Sequence, residues 1–187
     1  MQDYIYDQFQ TVGNDLLRLG LTTSHGGNMS IRHQGNMVVT VHFAMLGRLD
    51  PGDLVEVPLQ EEPDQITSDA SKDVALHQLI YKFTPAAAVI HAHPAHAVAM
   101  SLSSDLIAPR DLEGSVFLRE IPVVAPAAAA GRIPQLLQTH VAVMVRGHGC
   151  YAVGRTLNEA LAYTSALGLS CEVAYLAQQA GNEPADG

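Results

Sequence analysis

Three histidines stand where their side chains could bind one metal ion. His91 and His93 come at the end of the apolar run 86–90, which is typical of a buried strand. Because side chains alternate along a strand, both imidazoles point to the same side. His148 follows a second apolar run and stands between two glycines. Three imidazoles with one open position are the pattern of catalytic zinc, whereas the alternative is a set of half-buried polar residues at strand ends.

A fourth histidine, His96, extends the motif to His-x-His-x-x-His. Two-metal hydrolases with a similar run need an aspartate just before the last histidine, where this chain has Ala95. The cupin motif needs a glutamate a few residues on, and it is missing here. His96 is therefore predicted to lie behind the site or in the core. One Zn²⁺ per chain suits the other three histidines, and Mn²⁺, Fe²⁺ or Co²⁺ would also bind.

Helical and extended patterns interleave around these histidines. Helical spacing predicts helices over residues 3–19 and 73–83, after Pro94, and from a Thr156–Glu159 capping box to about Gln178. Short apolar or alternating runs predict strands at 29–32, 37–41, 54–57, 86–91, 116–124 and 141–145. With no linker or repeat, we expect residues 1–187 to form one α/β domain with a mixed sheet, ending in a flexible tail at 181–187.

Composition excludes several classes of function. The net charge of −9, without any basic run, argues against nucleic-acid binding. The first nine residues lack the apolar stretch of a signal peptide, and no segment approaches the roughly 20 apolar residues of a membrane span. Two cysteines without CxxC spacing need not form a disulfide. We therefore expect a cytoplasmic protein, and the low charged fraction of 16% favours burial of some surface in an oligomer.

The motifs in their order resemble the class II aldolase/adducin family, most closely its fuculose-1-phosphate aldolase and ribulose-5-phosphate 4-epimerase branch. The similar segments are 26–32, 39–40, 71–73 with His77, 88–93, 146–149 and the helix after Thr156. They span nearly the whole chain. The resemblance implies a three-layer α/β/α fold with a central, largely antiparallel sheet, and homotetramers with active sites at subunit interfaces.

The resemblance also implies roles for residues outside the histidine cluster. Asp73 occupies the position of the aldolases' acid/base glutamate, where the epimerases have an aspartate that can bind the metal. Gly27, Asn28 and Ser71 match the positions that bind the anionic end of the substrate. Lys72 replaces a serine, and its cation could bind phosphate or carboxylate, or be solvated at a helix start. Asp73 could instead only stabilise a helix N-terminus.

Two departures from the family pattern concern the substrate. His42-Phe43 replaces a Thr-Gly pair after the second strand, and residues 101–147 contain no tyrosine. The aldolases use a tyrosine in that interval, so the proton donor to the leaving aldehyde is unidentified. This weakens the transfer of fuculose phosphate itself as the substrate.

We therefore expect a metal-dependent aldolase that cleaves a carbon–carbon bond of a small phosphorylated sugar or hydroxy-keto acid. A metal-stabilised enediolate would form, and Asp73 would shuttle the proton. A 4-epimerase or a β-keto acid decarboxylase would use the same site, and the adducin branch offers a non-catalytic interaction module. The three histidines argue against that module. A separation above about 8 Å between Asp73 and the histidines would exclude the acid/base role.

Overall fold

The computed structural model describes residues 3–60 and 73–181 of the chain. Within these ranges helices and strands alternate as predicted for the α/β class. Their bounds are α1 Asp3–Arg18, β1 Asn28–His33, β2 Asn36–Thr40, β3 Leu54–Pro58, α2 Val74–Phe83, β4 Ala88–Ala92, α3 Ala95–Ser101, β5 Leu106–Ile107, α4 Leu112–Phe117, β6 Ile121–Val124, α5 Ala129–Leu136, β7 Ala142–Val145, β8 Gly149–Gly154 and α6 Leu157–Gln179.

The strands form one eight-stranded sheet in the order β3-β2-β1-β4-β8-β7-β6-β5. All neighbouring pairs are antiparallel except β6 and β7. This confirms the expected largely antiparallel sheet. The strand β4, which carries His91, lies between β1 and β8, so its backbone is paired on both sides.

Helices cover both faces of the sheet. Ile90 of β4 packs on one side with Phe9 of α1 and Leu167 of α6. Its neighbour Val89 packs on the other side with Ile80 of α2 and residues of α5. Alternation along the strand thus supplies two separate apolar cores. The three-layer α/β/α arrangement expected from the sequence is confirmed.

The predicted strand 116–124 is wrong in its first half. Asp111 caps a helix there, since its side chain accepts a hydrogen bond from the Gly114 amide at 2.7 Å. Val116 and Phe117 belong to that helix, α4, and are mostly exposed, so their apolar character does not indicate a buried strand. The strand β6 begins only at Ile121. The helix α5 and the strand β8 were not predicted.

The last helix begins as its sequence predicts. The Thr156 hydroxyl accepts a hydrogen bond from the Glu159 amide at 3.1 Å, whereas the Glu159 carboxylate accepts from the amide of Arg155. Among the described residues, this helix is the one with the length and composition of a membrane span, and 44% of that window is buried inside the fold. It packs against β4 and β8 and against α3 and α4, which is the position of a core helix.

Substitution by alanine should change the free energy of unfolding in opposite directions at two helical glycines. A Cβ on Gly13 of α1 would lie 2.1 Å from the Leu46 carbonyl oxygen, whereas one on Gly131 of α5 would have no neighbour within 4 Å. We expect Gly13→Ala to lower the free energy of unfolding by about 1–3 kcal/mol, because the packed backbone must shift. Gly131→Ala should raise it by about 0.5–1 kcal/mol. Denaturant titration measures both, and a Gly13→Ala variant as stable as the wild type would contradict this packing of α1.

Candidate metal centre

His91 is fixed by the central strand and by a hydrogen bond from its ring. It is only 2% exposed, and its Nδ1 lies 2.9 Å from the Cys150 carbonyl oxygen on β8. A carbonyl only accepts hydrogen bonds, so Nδ1 carries the proton and Nε2 keeps its lone pair. Burial lowers the pKa of His91 to about 3, which keeps the ring neutral. His91 thus has the protonation state that a metal ligand needs.

The other two predicted ligands converge on the same point. Nε2 of His93 lies 3.0 Å from Nε2 of His91, and the candidate ligand atoms of these residues and His148 lie within 4.8 Å of one another. At a zinc–nitrogen bond length of about 2.0–2.1 Å, nitrogens on one tetrahedral ion are separated by roughly 3.3 Å. The donor set therefore fits a divalent transition metal. The exposed His148 leaves one side of the cluster open to solvent.

Two glycines allow the turn between β7 and β8 to carry His148 to this cluster. A Cβ on Gly149 would lie 2.3 Å from Cδ2 of His93, so a larger residue would displace that ring. Gly147 has a φ of +67°, a conformation that glycine adopts without strain. Before it, the Arg146 guanidinium donates to backbone carbonyls at the end of α3 and just after it, and it forms an ion pair with Asp105.

Asp73 lies directly beside the cluster. Its Oδ2 is 3.9 Å from Nε2 of His91, well inside the distance that would exclude an acid/base role. Its side chain forms no capping bond to α2, but its Oδ2 accepts a hydrogen bond from Nδ2 of Asn28 at 2.6 Å. Burial raises the pKa of Asp73, whereas the hydrogen bond from Asn28 lowers it, and the pKa lies below its usual value. Asp73 is therefore a carboxylate at neutral pH.

The remaining predicted residues divide into two groups. Gly27 touches the backbone of β4, because a Cβ there would lie 2.3 Å from the His91 carbonyl oxygen. Asn28 lies on β1 opposite His91, with its amide nitrogen turned to Asp73. Ser71 and Lys72 lie outside the described residues. The roles of all four in substrate binding stay predictions.

His96 lies outside the three-histidine cluster. Its ring, in the first turn of α3, is 5.3 Å from that of Tyr175 on α6. The spacing His-x-His-x-x-His thus brings only its first two histidines together, because the helix turns the third away.

Sequence reasoning missed Tyr151. Its ring stacks on the His91 imidazole with centroids 4.3 Å apart and an angle of 12° between the planes. The signal was the alternation within 149–154, which places Tyr151 two residues from Gly149 and on the same face. That signal becomes visible only once β8 is recognised as the neighbour of β4.

A buried polar chain continues from the site into the α2 side of the sheet. Nδ1 of His77 lies 2.7 Å from the Ser30 hydroxyl, which in turn lies 2.8 Å from the Tyr81 hydroxyl. Nε2 of His77 has no hydrogen-bond partner among the described residues. Burial lowers the pKa of His77 to about 4, so this ring is neutral as well.

With this geometry established, the comparison with known proteins identifies the family. Residues 7–175 match the family model of the class II aldolase and adducin N-terminal domain. The chain belongs to this family. The crystal structure of L-fuculose-1-phosphate aldolase from Thermus thermophilus has a TM-score of 0.90 and 36% identity, and the match covers 98% of this chain and 100% of that one. Membership in a family that is generally metal-dependent agrees with the three-histidine cluster.

Other relatives of this chain are named for different reactions. Methylthioribulose-1-phosphate dehydratase from Acidiphilium cryptum is 30% identical in an alignment of length 174 that covers 82% of this chain and 82% of that protein. The 3-oxo-tetronate 4-phosphate decarboxylase of Escherichia coli K12 is 25% identical in an alignment of length 173 that covers 86% of this chain and 81% of that protein. Family membership therefore does not choose between cleavage, dehydration and decarboxylation.

The metal site is tested by comparing two neighbouring histidines. We expect about one transition-metal ion per chain in the purified protein, and loss of that ion in His93→Ala, because one of three ligands is removed. His96→Ala should keep its metal, since His96 lies outside the cluster. Inductively coupled plasma mass spectrometry measures the content. A wild-type protein that neither contains nor takes up metal would contradict the assignment of this cluster as a metal site.

The buried histidines make the metal-free protein sensitive to acid. The folded state holds the pKa of His77 near 4, below the value of about 6.5 in an unfolded chain, so the unfolded state binds more protons between these values. The free energy of unfolding should therefore fall as the pH decreases from about 6.5 to 4. His77 alone contributes on the order of 3 kcal/mol. Urea titrations at several pH values measure the free energy of unfolding. Between about pH 4 and 6.5 this free energy should depend less steeply on pH in His77→Gln than in the wild type. An equal pH dependence in the two proteins would contradict the buried neutral state of His77.

Proposed function

We propose that the chain is a metal-dependent lyase that cleaves a carbon–carbon bond of a phosphorylated hydroxyketone, with Asp73 as its acid/base. The observation that carries this proposal is the ionised Asp73 carboxylate 3.9 Å from Nε2 of His91, next to two further imidazoles. When bound by His91, His93 and His148, a divalent ion such as zinc would act as a Lewis acid that stabilises negative charge on neighbouring substrate oxygens. A carboxylate in this position can take up and return a proton there.

The names of the relatives point to one substrate class. L-Fuculose 1-phosphate and methylthioribulose 1-phosphate are ketoses whose ketone stands next to the phosphorylated carbon, and 3-oxo-tetronate 4-phosphate shares that arrangement. In each compound the other neighbour of the ketone bears a hydroxyl. Aldol cleavage, dehydration and decarboxylation can all begin by forming the enediolate of this unit, each by breaking a different bond. We infer that this chain binds the same unit.

Carbon–carbon cleavage is the reaction that the similarity favours. The solved L-fuculose-1-phosphate aldolase is 36% identical and matches over its full length, whereas the dehydratase and the decarboxylase are 30% and 25% identical. In this reaction the carboxylate of Asp73 accepts a proton from the substrate hydroxyl that becomes the carbonyl of the departing aldehyde. After the bond breaks, the same group delivers the proton to the carbon of the ketone fragment, so one residue balances both steps.

The anionic end of the substrate would lie near the loop that precedes β1. We assign its binding to Gly27, Asn28 and Ser71, with Lys72 as a further cation, on the resemblance to the family. The Asn28 amide nitrogen is engaged by Asp73. Its Oδ1 is buried and has no hydrogen-bond partner among the described residues, so it can accept a hydrogen bond from a substrate hydroxyl.

A homo-oligomer, expected to be a tetramer in the cytoplasm, is part of the proposal. Apolar side chains of α4 support association between copies, because Leu112 is 82% exposed, Val116 63% and Phe117 51%. Such neighbouring apolar residues at a surface are characteristic of interaction sites. A non-catalytic module of the adducin kind has less support, since it needs neither an open metal site nor a carboxylate beside it.

Three substrates and one pair of variants test the activity. With metal-loaded protein we expect L-fuculose 1-phosphate, or a close ketose 1-phosphate, to release an aldehyde. Asp73→Asn should lower kcat by roughly 10²–10⁴-fold, because an amide cannot carry the proton. Asp7→Asn on the exposed face of α1 is the matched control.

Parallel assays with methylthioribulose 1-phosphate and 3-oxo-tetronate 4-phosphate follow dehydration and release of carbon dioxide. If the protein turns over only one of these two compounds, its reaction would be dehydration or decarboxylation and not carbon–carbon cleavage. No turnover of any of the three, or full activity of Asp73→Asn, would overturn the proposal.

A further inference from the structure

Phe43 lies in a turn whose backbone favours glycine. The turn follows β2, and the amide of Ala44 donates to the carbonyl oxygen of Val41 at 3.2 Å. At its third position Phe43 has a φ of +61°, whereas His42 before it does not have a positive φ. This combination is characteristic of a type II turn, in which glycine or asparagine usually takes the third position. A phenylalanine there costs folding free energy, because its Cβ crowds the following carbonyl oxygen.

The side chain of Phe43 recovers little of this cost by burial. Its ring is 69% exposed, the largest exposed fraction of any aromatic side chain among the described residues. Gln34 and Arg119 also have positive φ, but both are polar residues at the surface. Phe43 differs from them because it exposes an apolar ring as well. Neither the turn nor the packing of the core therefore calls for a phenylalanine at this position.

Two imidazoles flank the Phe43 ring. The ring centroid of His42 lies 4.2 Å from that of Phe43, and the centroid of His25 lies 6.3 Å away with an angle of 69° between the planes. Aromatic rings attract each other in tilted and edge-to-face arrangements at such separations. His25, His42 and Phe43 thus form a cluster, which we call the rim cluster. It joins the loop before β1 to the loop after β2.

The rim cluster stands at the end of the sheet that holds the metal ligands. The strand β1 begins where its antiparallel neighbour β2 ends, and Asn28 at the start of β1 is paired with His91. Gly26, which follows His25, packs against the site, because a Cβ there would lie 2.9 Å from Nδ1 of His93. The exposed ring therefore lies beside the region to which the anionic end of the substrate is assigned.

From this position we propose that Phe43 is a substrate-binding residue, whose ring contacts the carbon chain of the phosphorylated substrate next to its anionic end. The inference rests on the proposed function, which assigns the anionic end to the loop before β1. An aromatic face offers apolar area to the C–H groups of a small substrate, as apolar side chains do in most ligand sites. The unfavourable backbone is retained because the ring serves binding and not folding, as strained residues at ligand sites do.

Phe43→Gly removes the ring and relieves the backbone, so binding and stability should change in opposite directions. In metal-loaded protein we expect KM for the substrate that is turned over to rise about 10-fold, with kcat within about 2-fold of the wild type, because a contact made throughout the reaction is lost. The melting temperature should rise by roughly 2–4 °C, since glycine adopts this φ without strain. A residue that served only the fold would instead lower the melting temperature.

Three further variants separate the ring from the backbone. Phe43→Tyr retains the ring and should keep the wild-type KM. Phe43→Ala lacks the ring but retains the strained turn, so its KM should rise without a gain in melting temperature. Gln34→Gly is the matched control, because Gln34 has a φ of +48° in the hairpin turn at the opposite end of β1 and β2. It should raise the melting temperature and leave KM unchanged.

Calorimetry distinguishes contact with the carbon chain from contact with the phosphate. Dihydroxyacetone phosphate contains the ketone, the hydroxyl and the phosphorylated carbon that the relatives' substrates share. We expect its Kd to rise about 10-fold in Phe43→Gly, in parallel with KM. Inorganic phosphate has no carbon chain, so it should bind both proteins with the same Kd. An equal loss of affinity for the two compounds would contradict the assigned contact.

Three other results would overturn the inference while leaving the proposed function intact. They are a wild-type KM and Kd in Phe43→Gly, a lower melting temperature together with weaker binding, or dissociation of the oligomer in light scattering, which would show that Phe43 contacts another copy. Failure of the wild-type protein to turn over any of the three substrates would instead overturn the proposed function itself, and with it the ligand assigned to Phe43.

Discussion

The register of β4 between β1 and β8 is the constraint on which the candidate site depends. It sets Asn28, His91 and Tyr151 side by side, and it places the Cys150 carbonyl where the His91 ring donates to it. A slip of one residue in either ladder would turn one of these side chains to the opposite face. Gly27 has no side chain to meet the His91 carbonyl, so the loop before β1 can approach the strand at this point.

Charge states in the site follow from the same packing. Burial keeps His91 neutral, while the hydrogen bond from Asn28 on β1 favours the ionised form of Asp73. A neutral imidazole suits a metal ligand, and an ionised carboxylate suits a base. Relatives named for cleavage, dehydration and decarboxylation are consistent with one such arrangement, because these reactions share an enediolate and differ in the bond that breaks. Selection among them then depends on groups around the rest of the substrate.

The fold was predictable where the local pattern was long or carried its own end signals. The stripe of α1, the strand that carries His91 and the Thr156 start of α6 were all expected and are present. The error at 116–124 arose because a short apolar run is compatible with both a buried strand and an exposed helix face. Val116 and Phe117 are typical strand residues, but Asp111 caps a helix that leaves them at the surface. Local hydrophobicity does not distinguish a buried strand from an exposed apolar helix face.

For the site, the sequence by itself determined which side chains could bind metal and that His91 and His93 share one side of a strand, since alternation along a strand is local. The family resemblance added Asp73. Only the tertiary structure decided that Tyr151 and Asn28 lie on either side of His91, that Asn28 bonds to Asp73, and that His96 turns away. The physical reason is that strand pairing is set by contacts between segments distant in the chain. The pairing of Asn28 with His91 and of His91 with Tyr151 spans about 60 residues each.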